Sequence, residues 1–93
     1  MRYMVQGTPR QSRQAPTAEM LALVPAEVAA GAELDRRGLR AALYVAADLS
    51  AAWQVFDADS AAAVRAALAA LPLTPYTDYR ITPLADEPVP AGA

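Results

Sequence analysis

Four short stretches in which apolar and polar residues alternate predict β-strands, since alternation with a period of two is typical of a strand with one buried face. They lie at residues 2–7, 39–48, 51–59 and 76–84. The second and third are separated only by a tight turn at residues 48–50 (Asp-Leu-Ser), which predicts a hairpin. Residues 7–9 (Gly-Thr-Pro) are expected to end the first strand. Pro83 lacks the N–H that a sheet ladder needs, so the last strand is expected at or near a sheet edge.

A longer segment with apolar residues every three or four positions predicts a helix over about residues 17–37. Thr17 is the expected N-cap, and Glu19 lies in the first turn, where the helix dipole favours an acid. Gly38 is the expected stop. Pro25 lies inside the segment, so we expect one bent helix, with a break at Pro25 as the alternative.

A second helix is predicted at residues 61–71, with Ser60 as its N-cap and Pro72 as its stop. The element order is then β-α-β-β-α-β, which predicts an α+β, ferredoxin-like fold with both helices on one face of the sheet. One domain is expected over residues 1–88, followed by a flexible tail at 89–93.

The sheet face without helices is expected to need a partner. In the last strand, Tyr79 and Ile81 are predicted on one face, and Asp78 and Arg80 on the other. An exposed sheet face on so small a domain predicts dimerisation or a larger closed assembly.

Composition narrows the chemistry that this chain of 93 residues can perform. Hydrophobic residues make up 55% and charged residues 19%, as in globular proteins, and the net charge of -2 argues against nucleic acid as a partner. The sequence contains no Cys and no His, which excludes thiolate chemistry and removes the usual general base and the commonest metal ligand. We therefore expect no metal site, and any catalysis must use Glu, Asp, Tyr, Arg, Ser or Thr.

The same sequence indicates where the protein is found. No apolar run approaches the roughly 18 residues of a membrane span, and the N-terminus has a strand pattern rather than that of a signal peptide. A cytoplasmic protein without a membrane partner is therefore expected.

A set of motifs gives the chain a family resemblance. Residues 71–76 (Leu-Pro-Leu-Thr-Pro-Tyr), then 82–84 (Thr-Pro-Leu), with Glu33-Leu34 and Gly38 upstream and Phe56-Asp57 between, match a recurrent pattern. In this pattern the chain resembles the muconolactone Δ-isomerase family. The resemblance implies a ferredoxin-like subunit that pairs through its sheet into a homodimer, a dimeric α+β barrel, and a ring-like homo-oligomer, a decamer in the isomerases.

The resemblance also implies a reaction. In the family, a double bond moves within a lactone that carries a carboxymethyl arm, by removal and return of a proton without a cofactor. Such chemistry needs a carboxylate base in a dry pocket and a cation or similar donor for the substrate carboxylate.

Glu27 is the leading candidate for the base, because it matches a glutamate in the family's first helix. Burial beside Val24 and Val28 would raise its pKa, which suits a base near neutral pH. The alternative is a solvated glutamate on the helix surface. Glu33 is a weaker candidate, since it fits a surface acid paired with Arg36 or Arg37.

Arg40 and Tyr44 complete the predicted catalytic set. They lie an even number of residues apart in the second strand, so they are expected on one face of it. The isomerases carry Trp, Arg and His at several positions of this hairpin, whereas residues 41–45 here are Ala-Ala-Leu-Tyr-Val. The loss of the histidine and of two cations predicts a more apolar pocket than muconolactone needs.

The remaining candidates are substrate-binding residues. They are Tyr3, Met20, Val24, Trp53, Tyr76 and Arg13. Packing in a core or an interface is the alternative for the aromatic residues, and a solvated loop position is the alternative for Arg13.

The resemblance, with the residues that depart from it, leaves three functions open. The first is a cofactor-independent isomerase acting on a lactone or related carbonyl metabolite. The second is an isomerase or cyclase of natural-product biosynthesis. The third is a non-catalytic member of the fold that binds a small ligand.

Overall fold

The computed structural model describes residues 1–10 and 16–85. The segment 11–15, which includes Arg13, and the predicted domain boundary after residue 88 lie outside the described residues. The elements are β1 (Arg2–Pro9), α1 (Ala18–Arg36), β2 (Arg40–Val45), β3 (Ala52–Asp57), α2 (Ala61–Ala69), a 3₁₀ turn (Thr74–Tyr76) and β4 (Thr77–Pro83).

The four strands form one antiparallel sheet in the order β2-β3-β1-β4. This is the sheet of a ferredoxin-like βαββαβ subunit, so the predicted fold class is confirmed. β4 is an edge strand, as Pro83 predicted, because a residue without an N–H is tolerated where a neighbouring strand is missing.

The core lies between the sheet and both helices. Phe56 and Val5 are fully buried, and they pack with Leu34 of α1 and with Val64 and Leu68 of α2. Both helices therefore cover the same sheet face, as predicted. In β4, Tyr79 and Ile81 pack toward this core, whereas Asp78 and Arg80 are exposed, which confirms their predicted faces.

The helices begin where the sequence predicts. Thr17 accepts a hydrogen bond from the Met20 amide at 3.2 Å, and Ser60 accepts one from the Ala63 amide at 3.1 Å. α1 continues through Pro25 as one helix, so the break does not occur. Gly38 follows with a φ of 71°, the left-handed conformation that glycine adopts at a helix end.

β1 is longer than predicted, because it continues through Gly7 to Pro9. Pairing with β3 ends at Gly7, so Pro9 has a neighbouring strand only in β4. A Cβ at Gly7 would lie 3.2 Å from Thr77 Cγ2 and 3.3 Å from Tyr79 Cε1. Glycine therefore permits close packing inside the strand here, and it does not end the strand.

The β2–β3 hairpin has shorter strands and a wider connection than predicted. The amide of Ala46 donates to the carbonyl of Ala51, and that of Leu49 donates back to Ala46, both at 2.9 Å. Asp48 Oδ1 accepts from the Ser50 amide and hydroxyl, and the hydroxyl hydrogen bond above all lowers the pKa of Asp48. Leu49 has a φ of 62°, which is a strained conformation for a leucine.

A β-bulge corrects the prediction that Arg40 and Tyr44 share a face. Arg40 pairs with Phe56 and Tyr44 pairs with Trp53, with a register shift between Arg40 and Ala42. Because the bulge adds one residue to β2, the alternation changes sign across it. Arg40 therefore lies on the helix-covered face with Phe56, and Tyr44 lies on the opposite face with Trp53.

Candidate functional site

A cleft of about 470 Å³ lies between the N-terminal half of α1 and the sheet. Its volume is in the range of small-molecule sites. α1 contributes one wall, the inner faces of the strands contribute the floor, and the β2–β3 connection contributes part of the rim. The lining residues are Gly7, Pro9, Pro16, Met20, Leu21, Val24, Glu27, Val45, Leu49, Ala51, Ala52, Gln54, Leu73, Thr77 and Tyr79.

Apolar atoms dominate this cleft. Side-chain polar groups come from Glu27, Gln54, Thr77 and Tyr79, and the remaining lining residues of the described chain are apolar. Leu21, Val24 and Leu49 are partly exposed at the rim. A ligand that fills the cleft would therefore bury mostly hydrocarbon and meet few polar groups.

Glu27 supplies the carboxylate of this cleft. It lies one helical turn after Val24 on α1, and its Oε2 atom is buried. It also lines a second cavity of about 320 Å³, which extends toward the C-terminal half of α1. Within residues 1–10 and 16–85, Glu27 and Gln54 line both cavities.

Arg40 lies in the second cavity in a network with an acid and an amide. Its Nε and Nη2 atoms donate to Asp35 Oδ1 and Oδ2 at 2.7 and 3.1 Å, and its Nη1 donates to Gln54 Oε1 at 3.1 Å. The hydrogen bonds from Arg40 lower the pKa of Asp35. This bidentate pair occupies the fork of the guanidinium, so Arg40 is held in one orientation.

Gly31 lets α1 pass close to this network. A Cβ at Gly31 would lie 2.7 Å from Nη2 of Arg40, which is too close for any side chain to be added without moving the guanidinium. Gly31 stands four residues after Glu27 and four before Asp35, so the three share one helix face.

The predicted site residues fall into separate groups. Met20, Val24 and Glu27 line the first cleft, and Arg40 lines the adjoining cavity with Glu27. These four are brought together on the helix-covered face of the sheet. Arg13 lies outside the described residues.

Tyr44 and Trp53 lie on the other side of the sheet. Tyr44 is 65% exposed and pairs with Trp53 across the hairpin, on the face that neither helix covers. Within one chain the sheet separates them from Glu27, because Tyr44 and Trp53 pair on its outward face, whereas the bulge after Arg40 turns Arg40 inward. The predicted set of Glu27, Arg40 and Tyr44 is therefore not assembled in a single chain.

Tyr3 and Tyr76 also lie away from the lining of both cavities. The Tyr3 side chain is buried in the core at the opposite end of β1, and its hydroxyl donates to Met1 Sδ at 3.5 Å. The Tyr76 hydroxyl donates to Glu19 Oε2 at 3.2 Å, a hydrogen bond that raises the pKa of Tyr76. Glu33 pairs with Arg36 on the exposed surface of α1, as predicted.

Gln54 and Leu49 are site residues that the sequence did not single out. Gln54 shares the inward face of β3 with Phe56, and a polar residue at an inward position of a strand is the signal that points to it. Leu49 carries no such signal, since its place at the rim depends on the turn that joins β2 to β3.

The described residues contain neither a metal-binding cluster nor a membrane-spanning helix. No group of three His, Cys, Asp or Glu side chains within residues 1–10 and 16–85 is placed to hold a metal ion. None of the helices in that part of the chain has the length and hydropathy to cross a membrane.

Comparison with known proteins gives one consistent relationship. Residues 1–89 match the family described as muconolactone delta-isomerase. The fold is similar to the 3.3 Å crystal structure of muconolactone isomerase, with a TM-score of 0.79 and 28% sequence identity over 100% of this chain and 97% of that one. A search of curated proteins gives no match. The resemblance seen in residues 71–76 and 82–84 is confirmed, and the chain belongs to the muconolactone delta-isomerase family.

Proposed function

We propose that this chain is a cofactor-independent isomerase that moves a C=C bond in a lactone or a related carbonyl metabolite, with Glu27 as the base. The observation that carries the proposal is the buried Oε2 of Glu27 in the wall of an apolar cleft. The family to which the chain belongs supports the reaction class.

The reaction needs one carboxylate acting twice. Glu27 removes a proton from a carbon conjugated with the carbonyl, the C–H electron pair enters the conjugated system, and negative charge develops on the carbonyl oxygen. The resulting carboxylic acid returns the proton to a different carbon, and the carbonyl re-forms. Atoms and electrons balance within the substrate, so the reaction itself requires no redox cofactor.

The substrate is proposed to be less polar than muconolactone. The walls that Met20, Leu21 and Val24 form are apolar, and Arg40 is already paired with Asp35. A free carboxylate on the substrate would therefore gain little from Arg40. A lactone or enone without a charged arm fits these walls better, and an intermediate of natural-product biosynthesis belongs to this class.

A non-catalytic ligand-binding role is the second candidate. It is favoured by the separation of Tyr44 from Glu27 by the sheet, since one member of the predicted catalytic set then lies beyond reach of the cleft. Binding of a small apolar ligand needs only the cleft.

Proton exchange separates the two candidates. Wild type, Glu27→Gln and Glu33→Gln are incubated in deuterated water with muconolactone and with a panel of uncharged lactones and enones, and deuterium incorporation is followed by NMR. Glu27→Gln is expected to lose exchange by about 10²–10⁴-fold, the usual contribution of a general base. Glu33→Gln is the matched control, because Glu33 lies exposed on the same helix and pairs with Arg36.

Two results would contradict the proposal, the first its choice of base and the second its assignment of catalysis. Exchange that survives in Glu27→Gln would remove Glu27 as the base. Ligand binding without exchange by wild type on any member of the panel would favour the binding role.

We also propose that the subunit forms a homodimer through the uncovered sheet face, and a ring-like larger oligomer beyond it. The support is the apolar surface of this face, where Met4, Val55 and Trp53 are half-buried and Tyr44 is exposed. Native mass spectrometry tests the proposal. Tyr44→Arg is expected to dissociate the dimer, and a monomeric wild type would contradict the proposed assembly.

A further inference from the structure

Gln54 occupies an unusual position for an amide. Its side chain is only 6% exposed, and it lies on the inward face of β3 between Ala52 and Phe56. With Glu27 it forms the common boundary of the two cavities. A polar group buried this deeply at a cleft floor needs hydrogen-bond partners.

Arg40 decides which way the amide of Gln54 points. A guanidinium can only donate, so the Gln54 atom that faces Arg40 Nη1 at 3.1 Å must be the carbonyl oxygen. The bidentate contact with Asp35 holds Arg40 itself in place. The reversed amide would place N–H groups against N–H groups, and the NH₂ end of Gln54 is therefore directed away from Arg40.

The NH₂ end is left available to a ligand. Among the described residues, the structure gives Gln54 Nε2 no acceptor. Gln54 is more than nine-tenths buried, its NH₂ group has a fixed orientation, and it lines the same cleft as the Glu27 carboxylate. A substrate carbonyl that reacts in this cleft requires such a donor. The base must lie on one side of the substrate, and a donor must meet the oxygen where negative charge develops.

We propose that Gln54 Nε2 donates a hydrogen bond to the carbonyl oxygen of the substrate and stabilises the enolate that forms when Glu27 removes the proton. This inference rests on the proposed isomerase function. The C–H electron pair moves into the conjugated system and the carbonyl π pair moves onto oxygen. Gln54 keeps its own protons throughout, and the charge returns when Glu27 gives its proton back.

The proposal changes the roles of two residues. Arg40 becomes a positioning residue, since it orients Gln54 and does not reach the substrate carboxylate. The substrate class follows as well: a neutral cyclic lactone or enone whose carbonyl oxygen reaches the floor at Gln54 and whose carbon frame lies against Met20 and Val24.

The test separates binding of an oxyanion from turnover. Tetronate, a cyclic enolate anion, and γ-butyrolactone, a neutral saturated lactone, are titrated by calorimetry into Glu27→Gln protein, where the carboxylate that would repel tetronate is absent. The same titrations are made with Gln54→Leu and Gln54→Met added. Both replacements are uncharged and lack the donor, and methionine has nearly the length of glutamine, so a folding defect in one leaves the other as a test.

Gln6→Leu is the matched control. Gln6 pairs with Trp53 across the sheet, so it lies on the face opposite Gln54. Thermal unfolding and native mass spectrometry verify that each variant is folded and assembled as the parent.

Loss of the donor is expected to weaken tetronate binding by about tenfold or more, which is about 1.4 kcal/mol. Gln6→Leu should change it by less than about twofold. In protein that retains Glu27, the single variant Gln54→Leu should lower kcat by about 10²-fold with little change in KM, as removal of one oxyanion donor does. Asp35→Asn should produce a smaller loss in kcat, because it loosens Arg40.

Tetronate affinity that falls less than about fivefold in both Gln54 variants would overturn the proposal. An equal loss for tetronate and γ-butyrolactone would also overturn it, since it would reflect altered packing and not an oxyanion contact. Wild type that turns over no lactone or enone, but binds tetronate through Gln54, would reject the isomerase function and retain Gln54 as the carbonyl-oxygen ligand.

Discussion

The two halves of α1 differ in what they contact. The C-terminal half is anchored: Leu34 is 3% exposed in the core, Gly31 is buried against Arg40, and Asp35 pairs with Arg40 of β2. The N-terminal half stands over the cleft, where Leu21 and Val24 remain partly exposed.

The contrast shows how a small domain can hold a rigid site. Burial of Leu34 and the close approach at Gly31 position the second half, and Met20 is the buried residue of the first half. Leu21 and Val24 of the first half remain exposed at the cleft, where a ligand can contact them. Glu27 lies at the junction, one turn before Gly31 and in contact with both cavities.

The largest expected effect on stability is at Leu34, in the C-terminal half of α1. Leu34→Ala should lower the free energy of unfolding by about 2–5 kcal/mol, because it removes a buried side chain and leaves a cavity. Leu21→Ala, the same change in the N-terminal half at a residue that is 56% exposed, should change it by less than about 0.5 kcal/mol. Denaturant titration of both variants measures the difference. Equal losses would show that the two halves are equally packed or that a second copy of the chain covers Leu21.

A smaller effect on stability is expected at Gly31, where α1 approaches Arg40. Gly31→Ala should lower the free energy of unfolding by about 1 kcal/mol. Its Cβ must displace the Arg40 guanidinium, and the energy lost in doing so is larger than the gain in helix propensity. In an Arg40→Ala background the same change should stabilise the protein by up to about 1 kcal/mol, since only the propensity remains. A double-mutant cycle by chemical denaturation checks this, and the same sign in both backgrounds would contradict it.

The smallest effect is expected from the pH dependence of the Asp35–Arg40 pair. The pair lowers the folded pKa of Asp35 below its unfolded value of about 3.9, so its stabilisation is present above that value and is lost as pH falls through the folded pKa. The Asp35 side chain is 53% exposed, so the contribution should be below about 1 kcal/mol.

Acid titration of stability measures this contribution. Unfolding free energies of wild type and Asp35→Asn should differ most above about pH 5 and converge below about pH 3. A difference that grows as pH falls would contradict the sign of the pKa shift.

Much of the fold was predictable because its signals are local. Thr17 and Ser60 cap their helices with their own side chains, and Gly38 supplies the left-handed residue that ends α1. The segment 71–76 contributes Leu71 and Leu73 to the buried interior, and it also identifies the family. Glu27 and its apolar neighbours were predicted from the resemblance and from helical periodicity.

Which residues lie together in the site was less predictable. The even spacing of Arg40 and Tyr44 predicts one face only while the ladder is regular, and one extra residue in β2 reverses it. Gln54 has one sequence signal, its inward position in β3, but its role depends on Arg40, which is distant in sequence.

The sequence by itself determined the order of elements, the helix ends and the family, because caps, turns and periodicity act over a few residues. Only the tertiary structure decided which side chains share the cleft. Strand register, a bulge and the approach of α1 over Gly31 bring Glu27, Gln54 and Arg40 together. These are long-range contacts, formed when the whole sheet and helix pack, and no short stretch of sequence encodes them.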